Sequence, residues 1–157
     1  MQKKNILILG LGNEILSDDG IGPCLTRNLS EIIDDPEINT ATACCGGLEI
    51  MEYIRGYKKV IIIDAIKTRD GKPGNVYYFT PDDFRETSNL SSIHDVNFIT
   101  ALRLGDILNL DLPGDLHIIA VEITEDREFS EDLTLSLREK YPEILEEVSS
   151  LIRKILS

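Results

Sequence analysis

Four β-branched residues in a row, Val60-Ile61-Ile62-Ile63, run without interruption into a carboxylate, Asp64. A strand of that composition is apolar on both faces, so it belongs at the centre of a sheet covered on both sides, which means a parallel sheet flanked by helices. Asn5 to Leu9, ending in Gly10, is a second run of the same kind. After the loop Gly10 to Gly20, apolar residues at Ile21, Leu25, Leu29, Ile32 and Ile33 keep helical spacing, and Pro23 fits because it falls in the first turn. The helix therefore starts near Gly20 and ends at Asp34-Asp35-Pro36.

The same alternation continues. Ile38 to Cys44 predicts a strand, and Leu48, Met51 and Ile54 predict a short helix ending near Gly56. Lys67 to Asn75 reads as a loop, Val76 to Phe79 as a short strand of either direction, and Pro81 to Ser92 as irregular chain. His94 stands at or near the start of a helix carrying Phe98, Ile99 and Leu102 and ending around Leu108. Leu116 to Ile123 is a further strand. Ile144, Leu145, Val148, Leu151, Ile152 and Ile155 form the stripe of a closing helix, with Arg153 and Lys154 suited to its C-terminal dipole. The expected architecture is an α/β three-layer sandwich, a mainly parallel central sheet with helices on both faces, in a single domain over residues 1–157.

Charge and cysteine usage remove several function classes. A formal charge of −12 repels a phosphate backbone, and no stretch combines clustered Lys and Arg with aromatics, so nucleic acid is not an expected partner. Three cysteines, two of them adjacent, do not make a disulfide framework, and MQKKNILILG lacks the pattern of a secretory signal, so a reducing cytoplasm is expected. No apolar run approaches the roughly 18 residues of a membrane span.

In a parallel α/β sheet, the loops after the strands' carboxyl ends gather along one edge, and ligands bind there at the switch point. Asp19 lies in the loop after the first strand, Asp64 ends the central strand and His94 precedes a later helix, so all three can converge on that edge. Two carboxylates and one imidazole are a donor set for zinc, nickel or a similar divalent ion with positions left open. Simpler roles stand beside this one. Asp18 or Asp19 could cap the first helix, and His94 could be a surface or capping residue. Asp64 is harder to explain away, because a carboxylate directly after four aliphatic residues is half-buried and costly without a partner.

Other motifs carry less. Gly10-Leu11-Gly12-Asn13 opens like a dinucleotide-binding turn, but Ile15 stands where the third glycine should be, and Asp18-Asp19 would set negative charge where a pyrophosphate sits. Cys44 and Cys45 fall near the same edge, where a thiolate nucleophile or soft ligand is conceivable, although the favoured role is that of small buried hydrophobes; Cys24 is expected in the core. His117, inside a strand pattern, is expected at a packed or edge position. No Gly-x-Ser-x-Gly elbow occurs.

Taken together, Gly10-Leu-Gly-Asn-Glu-Ile-Leu-Ser-Asp-Asp-Gly20, Ile61-Ile-Ile-Asp-Ala65 and Ser92-Ile-His-Asp95 resemble the nickel-iron hydrogenase maturation endopeptidase family, from about Asn5 to about Val121. The resemblance implies a peptidase that removes a C-terminal extension from the hydrogenase large-subunit precursor once nickel has been inserted. It places the metal-contacting positions on Asp19, Asp64 and His94; the first of these is Asp or Glu in the family. It also implies that the nickel belongs to the substrate and that the enzyme holds no tight cofactor of its own. Zinc, cadmium or another divalent ion is expected to be able to substitute at the site, and the protein is expected to be a monomer. Many relatives carry an Asp-Gly-Gly-Thr-like stretch after the second strand, where this chain has Ala43-Cys-Cys-Gly-Gly47. A non-catalytic metal-binding or metal-delivery module with the same three ligands is the competing expectation.

Overall fold

The computed structural model describes residues 5–44, 48–83 and 109–157. The expectations for His94, for the helix through Phe98 and Leu102, for most of the irregular stretch before it and for Cys45 lie outside these residues.

Among the described residues five strands form one sheet: β1 (Ile6–Leu11), β2 (Ile38–Ala43), β3 (Lys59–Ile66), β4 (Val76–Phe79) and β5 (Asp115–Glu122), in the order β2-β1-β3-β5-β4. The first four in that order are mutually parallel, and β4 closes one edge antiparallel to β5. The α-helices among the described residues are α1 (Ile21–Ile32), α2 (Leu48–Ile54) and α3 (Leu135–Leu156). The three-layer arrangement expected from the alternating pattern is present.

Strand periodicity sorts the core into two halves. Ile8, Ile61, Ile63, Ile119 and Val121 face Ile21, Leu25 and Leu29 of α1 and Leu137, Ile144, Val148 and Ile152 of α3. Leu7, Leu9, Leu11, Val60 and Ile62 lie on the other face with Ile50, Met51 and Ile54 of α2. Each half holds fully buried aliphatic side chains, and each such side chain stabilises the fold by about 2 kcal/mol. The uninterrupted run Val60 to Ile63 is thus explained by a strand with a helix layer on each side.

Three boundaries differ from the sequence expectation. β3 does not stop at Asp64 but continues through Ala65 to Ile66, because β5 supplies pairing partners Ala120, Val121 and Glu122 to its last three residues. β5 itself begins at Asp115 and ends at Glu122. α3 starts at Leu135, well before Ile144, and carries Pro142 inside it. Pro142 lies on the exposed side of the helix, where water can take up the carbonyl it leaves unbonded, while Leu137 and Ile144 on the buried side hold the helix across it.

The junction of α1 with the sheet is unusually close. A Cβ at Gly22 would lie 2.4 Å from the Leu11 carbonyl oxygen and 2.5 Å from that of Ile63. Both obstacles are backbone of central strands and cannot swing aside. Gly22→Ala is therefore expected to destabilise the protein by about 2 kcal/mol through overpacking, measurable as a lowered urea midpoint.

Candidate active site

The chain leaves β1 for β2 on one side and later returns to form β3 on the other, so the carboxyl ends of β1 and β3 flank the topological switch point. A cavity of about 420 Å³ opens there, and Gly12, Asn13, Asp19, Cys44 and Asp64 are among the residues that line it. Asp19 and Asp64, chosen from loop position and burial context, share one cleft. Among the described residues no three of His, Cys, Asp and Glu are placed to hold a metal ion, so a three-ligand site here needs a donor from outside them.

Asp19 is positioned by a tight local fold. After β1 the chain turns at Asn13 to Leu16 and enters a 3-10 turn, Ser17–Gly20, with Leu16 N–H donating to Asn13 O and Asp19 N–H to Leu16 O. Asp19 Oδ2 accepts the Asn13 backbone N–H at 2.8 Å, closing the loop on itself. Gly12 makes this possible. Its φ of +150° lies in the region that favours glycine, and a Cβ there would meet the Asp19 carbonyl oxygen at 2.0 Å. Gly12 thus serves close approach of the Asp19 turn to the strand end and Gly10 close approach of α1, where a Cβ would lie 2.6 Å from the Gly22 carbonyl oxygen, with no phosphate required to explain the pair.

Asp64 belongs to a strand and is held more stiffly. It pairs with Ala120 across β5, and its Oδ1 accepts the Ala65 N–H at 2.8 Å. The side chain is half-buried. Strand alternation sets it on the same face as Ile62 and Ile66. Two carboxylates from different elements facing one open cavity form a site that can bind a cation or take a proton from water.

Asp18 has a different role from its neighbour, and it is not a helix cap: neither the 3-10 turn nor α1 has a side-chain cap. It is fully buried. Its Oδ1 accepts Thr134 N–H at 2.7 Å, and its Oδ2 accepts Thr124 N–H at 3.2 Å, Glu125 N–H at 3.1 Å and Thr134 Oγ1–H at 3.0 Å. One carboxylate thereby ties the loop that carries Asp19 to the segment after β5 and to the residue preceding α3. Thr134, the N-cap by position, donates its hydroxyl to Asp18 and caps no backbone N–H of its own helix.

Sequence reasoning passed over two further carboxylates. Glu122 is 2% exposed and accepts Thr68 N–H at 2.8 Å, Tyr77 Oη–H at 3.1 Å and the Thr68 hydroxyl, anchoring the loop between β3 and β4. The signal that singled out Asp64 was present here too, since Glu122 directly follows the apolar run Ile118 to Val121. Asp126 lines the cavity and pairs with Lys67, Nζ to Oδ1 2.8 Å. Next to it, Glu125 has its pKa lowered by the Arg127 and Glu128 backbone N–H groups that its carboxylate accepts.

The thiols depart from expectation. Cys44, expected to be buried, is exposed and lines the cavity, because β2 ends at Ala43 and releases it. Cys24 is only partly buried, its Sγ 3.5 Å from Tyr141 Oη. Burial, followed by the contact with Cys24, raises the Tyr141 pKa. His117 is largely buried on β5, with Nδ1 2.6 Å from Tyr78 Oη and Nε2 2.6 Å from Asp115 Oδ1. It pairs with Ile61, near the start of β3, whereas Asp64 lies near the strand's other end. His117 is not part of the cavity.

Similarity to known proteins converges on one group. The sequence model of the HycI hydrogenase maturation protease family matches residues 23–151, a stretch that includes Asp64 and His94 and begins after Asp19. A provisionally assigned hydrogenase maturation protease of Methanocaldococcus jannaschii is 30% identical over 127 residues, spanning 78% of this chain and 74% of the relative. Among solved structures, the hydrogenase maturating endopeptidase HybD of Escherichia coli superposes with a TM-score of 0.75 at 24% identity, covering 96% of this chain and 93% of that one. HybD of Thermococcus kodakarensis superposes with a TM-score of 0.68, also at 24% identity, covering 94% and 98% respectively. At that identity the two structures speak for the fold.

Proposed function

We propose, from the premise that this chain belongs to the hydrogenase maturation protease family and is therefore a maturation endopeptidase, that it removes the C-terminal extension of a nickel-loaded hydrogenase large-subunit precursor. The observation that carries the proposal is the convergence of Asp19 and Asp64, from two different elements, on one open cavity at the switch point of the sheet. A peptidase that must sense a metal in its substrate needs hard or borderline donors facing solvent, and two carboxylates supply them. His94 is the proposed third contact.

The nickel in this reading is part of the substrate. Asp19, Asp64 and His94 dock on it, which orients the scissile peptide beside the carboxylates, and orientation alone can supply a large share of a rate enhancement. Either carboxylate can take a proton from an attacking water. The stiff placement of Asp64 on a paired strand suits a group that must meet the substrate in one geometry. No tightly held cofactor is required; zinc or cadmium could occupy the same donors. The protein works as a monomer in the cytoplasm; no described helix is long and apolar enough to cross a membrane. The competing metal-delivery reading has no observation that favours it over membership of a protease family.

The test is to incubate the protein with candidate precursor, with and without nickel, and to weigh the products by mass spectrometry. Loss of a C-terminal peptide only in the nickel-loaded sample is the expected result. His94→Ala should slow that trimming by about a hundredfold without changing the circular dichroism spectrum, a magnitude usual for losing one group that contacts the reacting centre. A variant that trims at the normal rate would remove His94 from the site.

A further inference from the structure

Two exposed apolar side chains lie on paired loops whose nearby residues line the cleft, Ile15 itself facing a separate hollow of about 370 Å³ that Glu14, Glu131 and Leu133 also line. Phe129 is 81% exposed and Ile15 49% exposed. They belong to separate loops that a parallel bridge between Leu16 and Ser130 holds together: Ser130 N–H donates to Ile15 O at 3.0 Å, and Ser17 N–H to Ser130 O at 2.8 Å. Phe129, the residue before Ser130, is thereby set beside Ile15. Asn13 and Asp126, two and three residues away on the same loops, line the cavity, so the pair lies within about 10 Å of the cleft along the chain.

A single exposed hydrophobe needs no explanation. Here two come from different loops, are fixed by backbone hydrogen bonds, and sit in acidic surroundings. Glu125, Glu128, Glu131 and Asp132 surround Phe129 in sequence, with Arg127 the one basic residue among them. Glu14, next to Ile15, pairs with Arg27. An apolar centre with an acidic border, a few residues along the chain from the cleft that the endopeptidase reading assigns to a polypeptide, matches an apolar side chain flanked by Lys or Arg.

We propose that Ile15 and Phe129 form a docking surface for the protein precursor, receiving an apolar residue of a basic segment while the neighbouring peptide enters the cleft. This rests on the endopeptidase reading and adds to it the chemistry of the segment that is recognised. A second copy of this chain is a poor occupant, because two molecules of charge −12 would bring acidic borders together.

Steady-state cleavage of nickel-loaded precursor tests the surface. The double variant Ile15→Ser, Phe129→Ser is expected to raise KM about tenfold with kcat unchanged, since an aromatic anchor acts in binding and touches no reacting atom. Phe129→Leu should recover most of the wild-type KM. Neutralising the border with Glu128→Gln, Glu131→Gln and Asp132→Asn should raise KM about threefold and flatten its dependence on salt. An unmoved KM in the double variant, while the wild type cleaves normally, would overturn the docking surface and leave the endopeptidase reading standing. Wild-type protein that cleaves no nickel-loaded precursor would remove that reading, and the docking surface with it. Concentration-dependent dimerisation of the wild type, abolished by the double variant in sedimentation velocity, would assign the pair to self-association instead.

Discussion

Asp64→Asn is expected to lower kcat/KM for nickel-loaded precursor by about a thousandfold while leaving the thermal midpoint within about 2 °C of wild type. The substitution keeps shape and removes charge. Asparagine can still present an oxygen to the Ala65 N–H, the 2.8 Å bond that Asp64 makes within β3. Its place opposite Ala120 is set by strand pairing, which a side-chain amide does not disturb. The fold therefore has little reason to respond. The chemistry does, because an amide cannot accept a proton near neutral pH and is a far weaker cation ligand than a carboxylate. A thousandfold loss corresponds to about 4 kcal/mol of transition-state stabilisation, within the range removed when a charged group at a reacting centre is neutralised. Product analysis by mass spectrometry, with a melting curve on the same preparation, checks both halves. If the variant cleaves within tenfold of wild type, Asp64 is a bystander in the cleft.

Much of this arrangement could be read from residue pattern, and the parts that could not have identifiable causes. β1 and β3 were legible because strands buried on both faces are apolar without alternation, a pattern no exposed element imitates over that length. The extension of β3 past Asp64 was not. A carboxylate reads locally as a strand end, and only the partner residues Ala120 to Glu122 on β5 show that pairing continues. The start of α3 was hidden for a similar reason. Pro142 is a local stop signal, and burial of Leu137 and Ile144 on either side of it overrides that signal through tertiary packing. Cys44 was assigned by the average behaviour of cysteine, whereas its exposure follows from where β2 happens to end. The direction of β4, left open by its four residues, is decided by its antiparallel pairing with β5. Of the candidate site, Asp19 and Asp64 share the cleft that their positions implied, and His94 lies outside the described residues.

The adjacent pair Asp18-Asp19 is where local sequence says least and substitution should say most. Asp18→Ala is expected to destabilise the protein by about 4 kcal/mol, a drop of about 12 °C in the thermal midpoint for a domain of this size. The fully buried carboxylate accepts three backbone N–H groups, from Thr124, Glu125 and Thr134, as well as the Thr134 hydroxyl. Truncation leaves those donors facing an apolar methyl group in a closed space, and each unsatisfied buried donor costs about 1 to 3 kcal/mol. Asp18→Asn should not rescue it. Both oxygens face donors, so whichever one becomes an NH2 group meets another N–H. Asp19→Ala should behave in the opposite way. Its carboxylate is partly exposed, the Asn13 N–H bond it gives up is worth about 1 kcal/mol, and its stability cost should stay well below that of Asp18→Ala. Cleavage should fall by two orders of magnitude or more, because the carboxylate leaves the cavity. Urea unfolding of the two alanine variants, set beside their cleavage rates, separates the roles. If Asp18→Ala were as stable as wild type, the network from Thr124 to Thr134 would not be what holds the Asp19 loop against α3.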